Sequence, residues 1–169
     1  KILIDVDSAI VLSNGTVKEY FRDRLISPVI WEYSRDHAFK GDLALLDLLS
    51  TNRWERPVYY STTVPSAQYK GLEKFFIQEG LAYRVAPVRT GKNEEGEFGI
   101  ADPVVMYDNM MNKFTWGNAE DTDVYLDENN RRMFGNFRRL FGVLANDLIT
   151  AGDTTKALEA AKRGLEIVP

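Results

Sequence analysis

The sequence predicts an α/β fold, with a small sheet flanked by helices and a C-terminal helical hairpin. Three observations carry this. Short runs rich in Val, Ile, Thr and Tyr recur through the first half, as strands require. Between them lie segments whose apolar residues repeat at helical spacing. The last stretch, 128–169, holds two amphipathic stripes separated by Gly152-Asp153.

The elements follow in order. Ile2 to Val6 is β-prone, and Asn14-Gly15 marks a turn after it. Pro28 opens a second extended run, Val29 to Tyr33. Asp42 suits the N-cap of a helix carrying Leu43, Leu45, Leu46, Leu48 and Leu49, which ends near Thr51-Asn52. Pro57 launches the strand Val58 to Val64, and Pro65-Ser66 stops it. Tyr69, Leu72, Phe75 and Phe76 recur at helical spacing with Gly80 as a C-cap, and Leu81 to Val88 reads as a strand. Residues 57–88 therefore predict a βαβ-type unit. Gly91, Gly96 and Gly99 among charges mark an exposed loop. Pro103 fits the first turn of a helix running through Met106, Met110 and Met111, which Trp116-Gly117 ends. Residues 118–123 read as a loop, and Val124 to Leu126 as a short extended piece.

In the hairpin, Met133, Phe134, Phe137, Leu140, Phe141, Leu144 and Leu148 form the first stripe. The second helix is expected to hold Ala157, Leu158, Ala161 and Leu165 inside. Ala145, Gly152, Ala157, Ala161, Gly164 and Pro169 fit the small-residue and terminal-Pro positions of one tetratricopeptide repeat. Two domains are expected on this reading, an α/β domain over 1–127 and a tetratricopeptide-like hairpin over 128–169. One such unit cannot bury both of its faces, so the hairpin is expected to pack on the α/β body or to begin a longer helical tail.

Composition excludes several chemistries. The chain has 169 residues, a net charge of −4, no Cys and one His. Thiol nucleophiles, disulfides and multi-His zinc sites are thus out of reach, and neither a metal nor a cofactor is expected. No apolar run approaches the roughly 20 residues that span a bilayer. The chain starts at Lys1 rather than Met, so it is expected to be a piece of a longer protein. Residues 91–127 carry nine acidic and two basic residues, whereas 128–169 carry five and seven. No segment is basic enough for a duplex-binding face, so nucleic acid is not an expected partner. The acidic stretch reads as a solvated loop, and Asp121-Thr122-Asp123 lacks the spacing of a calcium loop.

Several groups invite chemistry. Ile2-Leu3-Ile4-Asp5-Val6-Asp7 ends a strand in Asp-x-Asp, as haloacid-dehalogenase-type phosphatases begin, with Asp5 as nucleophile and Asp7 handling the proton. Ser61, Lys70 or Lys74, and Asp121 with Asp123 would complete that set. Ser8-Ala9 replaces the usual Gly-Thr, and the last acidic pair follows a polar loop, so this is the second reading. His37, with no nucleophile motif nearby, reads as a surface or capping residue. Asn14-Gly15-Thr16 matches an N-glycosylation triplet and marks a turn. Tyr59, Tyr60, Tyr69, Tyr83, Tyr107, Tyr125, Trp31, Trp54 and Trp116 could stack on sugars, although most such residues are core. Arg131 and Arg138, like Arg132 and Arg139, are seven apart on the first hairpin helix, so each pair shares a face able to grip an anion.

Four strings carry a family resemblance: LDLLSTNRWERPVYY at 46–60, EGLAYRVAP at 79–87, MYDNMMNKFTWG at 106–117 and YLDENNR at 125–131. They resemble the C-terminal soluble region of multi-pass membrane proteins of Bacteroidetes, a family of unknown function. Its membrane half is similar to protein O-mannosyltransferases, the lipid-linked-sugar glycosyltransferases. The resemblance covers nearly all of 40–169 and, more loosely, 1–39. It implies that catalysis belongs to the absent membrane half, so no catalytic residue is expected here. It also implies a place on the periplasmic face of the inner membrane, with the chain's own membrane domain and a protein or glycan acceptor as partners. Tyr107, Asp108, Asn109 and Trp116 lie in these strings and, with Arg131, Arg132, Arg138 and Arg139, are the expected ligand- or partner-binding residues. Asp7-Ser8-Ala9 and Asp153-Thr154-Thr155 resemble the short O-glycosylation sequon of this bacterial group.

Overall fold

Ile2–Ile4 forms strand β1 and pairs antiparallel with β2 (Val29–Trp31), Ile2 opposite Trp31 and Ile4 opposite Val29. The alternation of a strand sends Ile4, Val29 and Trp31 into the core and Leu3 and Ile30 outward. A computed structural model describes residues 1–33, 36–91, 99–121 and 123–167. Gly96, Thr122 and Pro169, named in the sequence reading, lie outside them.

The chain divides into two compact units, Lys1–Ile100 and Ala101–Pro169. The fold class is the expected mixed α/β one, with two small sheets, helices and a C-terminal helical hairpin. In the first unit, helix α1 (Ser8–Ser13) follows β1, and helix α2 (Lys40–Thr51) follows β2. The second sheet runs in the order β3-β5-β4-β6, with β3 Val58–Ser61, β4 Phe76–Gln78, β5 Ala82–Val85 and β6 Ile100–Ala101. Outside the sheets, Ile26 N donates to Pro87 O at 3.0 Å and Arg89 N to Arg24 O at 2.7 Å, joining the segment before β2 to that after β5.

Residues 57–88 do not form the expected βαβ unit. Strand β5 is antiparallel to both β3 and β4, and the connection holds two 3-10 turns, Ser66–Gln68 and Leu72–Phe75. The left-handed backbone at Lys70 (φ 56°) and Gly71 (φ 92°) breaks any continuous helix there. Phe76, counted as helical from its spacing, pairs with Val85 in the sheet, and its ring stacks on Tyr83 at 5.2 Å. The apparent helical period thus came from a turn and a strand that feed one aromatic cluster. Tyr69 and Phe76 touch each other, and each also meets the rings of Tyr60 and Tyr83. Asp42 is not the N-cap of α2 either. Phe39 caps, and Asp42, in the first turn, accepts the Phe39 backbone N–H at 2.9 Å. Leu49 is buried, while Leu43 and Leu48 stay exposed.

The second unit begins with α3 (Pro103–Asp108), whose Pro sits in the first turn and whose N-cap Asp102 accepts Val104 N and Val105 N. A π-helical turn, Asn109–Lys113, continues it. The sequence reading put 101–127 with the α/β part. In the structure this segment packs with the helices, because α3 contacts the first hairpin helix and Trp116 lies 5.3 Å from both Phe137 and Phe141. That helix, α4 (Glu128–Thr150), turns at Gly152 (φ 84°) into α5 (Thr154–Ile167).

The buried face of α5 differs from the expected one. Ala157, Ala160, Gly164 and Ile167 face Leu140, Phe141, Leu144 and Leu148, whereas Leu158, Ala161 and Leu165 are exposed. Close approach of the two helices decides this. A Cβ on Gly164 would lie 2.7 Å from Phe141 Cβ, so the smallest residue must face that ring. Gly135 and Gly142 differ, because a Cβ at either meets nothing within 4 Å. Gly135→Ala is therefore expected to stabilise the protein by about 1 kcal/mol, the helix-propensity gain, read as a higher urea midpoint. An unchanged or lower midpoint would show that the position is constrained.

Candidate functional site

The eight expected binding residues fall into three settings, all within the second unit. Trp116 is buried, in ring contact with Phe114, Phe137 and Phe141, and serves the core. Tyr107, Asp108 and Asn109 lie where α3 passes into the π-helical turn. The Tyr107 hydroxyl donates to Glu159 at 2.5 Å, and Lys156 Nζ lies 5.6 Å from the Tyr107 ring centroid. The hydrogen bond to Glu159 holds the Tyr107 phenol in its neutral form, pushing its pKa up to about 12. Asp108 accepts from Lys113 (2.6 Å) and Asn112 (3.0 Å), which keep its pKa below the usual carboxylate range. Asn109 accepts from Lys113 at 3.4 Å. Its backbone oxygen takes Phe114 N, the bond that ends the turn.

Arg131, Arg132, Arg138 and Arg139 are all exposed on α4. Arg131 Nε donates to Leu126 O at 2.9 Å, and Arg132 Nη2 to Asn129 Oδ1 at 3.4 Å. Among the described residues none of the four has a carboxylate partner. By contrast Arg163 pairs with Glu120 and Glu166, Lys113 with Asp108 and Lys156 with Asp153.

The Asp-x-Asp motif does not assemble a phosphatase centre. Asp7 is the N-cap of α1, its carboxylate accepting Ala9 N at 2.9 Å and Ile10 N at 3.2 Å. Strand β1 is one of an antiparallel pair, whereas that chemistry sits beyond the carboxyl ends of a parallel sheet. Lys70 is buried against Asp42, Lys74 pairs with Glu32, and the Ser61 hydroxyl is bonded to Thr63. Asp121 accepts Asp123 N. Among the described residues, no group of three or more His, Asp or Glu is placed to hold a metal ion. Asp7→Ala is expected to lower stability by about 1 kcal/mol through loss of the cap, measured by urea unfolding; an unchanged stability would remove the capping role.

The aromatic residues do not gather into one sugar-stacking surface. Trp31, Trp54 and Trp116 are buried, and Tyr60, Tyr69 and Tyr83 pack on one another in the first unit. Tyr59 and Tyr125 are exposed, one in each unit. His37 is exposed, with its ring edge-on to Phe39. In the Asn14-Gly15-Thr16 triplet, the Asn14 amide and the Thr16 hydroxyl both donate to Trp54 O, each at 3.0 Å.

Two buried polar networks escaped the sequence reading. In one, Asp42 pairs with Lys70 and accepts the Tyr33 hydroxyl at 2.8 Å. In the other, Arg84 on β5 donates through Nε to Glu79 at 2.6 Å and through Nη1 to Thr16 O, and the Tyr59 hydroxyl donates to Glu79 at 3.0 Å. Arg84 Nη2 is buried and has no hydrogen-bond partner among the described residues. No spacing rule links Asp42 to Lys70 or Arg84 to Thr16; a charged residue within an otherwise apolar strand was the one available signal.

The fold is a two-unit mixed α/β one, with four exposed arginines on one helix and, among the described residues, no group placed to hold a metal ion. The family model of TMEM260-associated domain 2 matches residues 1–103, and the chain belongs to that family. No curated protein and no solved structure matches it. Membership is compatible with an accessory module of a membrane protein, and no helix among the described residues is long and apolar enough to cross a membrane.

Proposed function

We propose that the chain is a non-catalytic extracytoplasmic module of a membrane glycosyltransferase-like protein, held at the periplasmic face of the inner membrane. It binds an acceptor protein, a glycan or a partner chain and positions it for the membrane domain. The observation that carries this reading is membership of a TMEM260-associated family. Two further features support it: the four family-like strings with their resemblance to O-mannosyltransferase-type proteins, and the arginine face of α4, which has no carboxylate partner among the described residues. Tyr107, Asp108 and Asn109 present a second polar edge at the end of α3, while Trp116 holds the adjoining turn in place. The hairpin, tetratricopeptide-like in its small residues, offers the protein-binding surface.

The test compares the parent protein with and without Arg131→Glu/Arg138→Glu. Sugar transfer to acceptor protein is expected to fall, while hydrolysis of the lipid-linked donor by the membrane half persists. Unchanged transfer would remove the role given to the arginines. Metal-dependent phosphatase turnover of the chain, lost in Asp5→Asn, would replace this reading with an enzymatic one.

A further inference from the structure

On α4, Arg131, Arg132, Gly135, Arg138, Arg139 and Gly142 lie on the side opposite the buried Leu140, Phe141 and Leu144, as steps of 100° per residue require. The two arginine pairs are separated by seven residues, about 10.5 Å along the axis. Between them stands only Gly135, and Gly142 follows the second pair. Open space surrounds both glycines. The helix backbone is bare at these two glycines. Tyr125, 83% exposed, precedes the helix.

We propose that this face of α4 docks on an anionic phospholipid surface, with the four arginines seated on lipid phosphates and Tyr125 entering the interfacial layer. This rests on the membrane-module reading above and names the surface that the module uses. A guanidinium matches phosphate oxygens bidentately. Four of them spread along two helical turns, with no enclosing walls, suit a sheet of phosphates better than one small anion. A tyrosine at the headgroup level adds an apolar body with a polar tip.

The test is co-sedimentation of the full chain with vesicles of phosphatidylcholine alone or mixed with phosphatidylglycerol. The chain is expected to sediment with the mixed vesicles and not the neutral ones, and to be released by high salt, which screens exposed charges. Each arginine near the surface contributes about a fivefold factor, so Arg138→Gln/Arg139→Gln lowers the partition coefficient by about 25-fold, as does Arg131→Gln/Arg132→Gln. The exposed pair Lys40→Gln/Arg56→Gln in the first unit leaves it unchanged. Circular dichroism checks that the variants remain folded. Equal binding to both vesicles, wild-type partitioning of the arginine variants, or no sedimentation overturns the proposal. So does competition by inorganic phosphate beyond that of chloride at matched ionic strength, or binding to polyglutamate in place of vesicles. Failure here, with loss of acceptor transfer in Arg131→Glu/Arg138→Glu, would leave the module reading standing and this one fallen.

Discussion

Asp42→Ala is expected to cost about 3–5 kcal/mol of folding stability, the largest effect of any single substitution considered for this chain. The Asp42 side chain is 3% exposed and that of its partner Lys70 9%. Removing the carboxylate leaves a buried ammonium without the charge that neutralises it. The Tyr33 hydroxyl and the Phe39 N–H lose their acceptor as well. Asp42→Asn restores an acceptor oxygen but not the charge, so it recovers only a small part. The double variant Asp42→Leu/Lys70→Met removes both charges and is expected to be more stable than either single change. Urea unfolding of all four proteins makes the measurement. A single variant within about 1 kcal/mol of wild type would show that the pair is solvated in solution.

Gly71→Ala is expected to lose about 3 kcal/mol, from two sources that add. At φ 92° an L side chain is strained, which costs about 1–2 kcal/mol. The new Cβ would also lie 2.5 Å from Glu32 O, a backbone atom that cannot swing aside, which adds about 1–3 kcal/mol. The neighbourhood has little room to relax, because Trp31 Nε1 donates to Lys70 O at 2.9 Å and ties the turn to the end of β2. The readout is again the urea midpoint, with fluorescence of Trp31 reporting the local packing. A change below about 0.5 kcal/mol would mean that the turn opens freely.

These positions show which parts of the molecule a sequence makes readable. Strands β1, β2, β3 and β5 came from local composition, and Pro103 announced α3 through a single-residue rule. The hairpin was readable because a long amphipathic stripe repeats many times. Ala157 was placed inside α5 correctly, but the rest of that face was misread, since Ala160 and Gly164 carry less hydrophobic signal than Leu158 and Leu165. The smallness of Gly164, set by the approach of Phe141, is what packing selects there. Strand β4 was hidden because its three residues sit beside a turn that mimics helical spacing. Helix α1 was missed for a related reason: Asp7 drew attention as the proton-handling carboxylate of Asp-x-Asp when it serves as a cap. Of the site, the arginine face was legible because helical periodicity alone places residues seven apart on one side. Asp42 with Lys70, and Arg84 with Glu79 and Thr16, were not, because only the tertiary fold brings them together.

The carbonyl of Trp54 acts as a clamp. It draws together the Asn14 amide and the Thr16 hydroxyl from a distant part of the chain, while the indole of the same residue donates to Asp5 O. One side chain and its carbonyl thus tie both flanks of α1 to the turn after α2, so whatever loosens Trp54 releases three contacts at once.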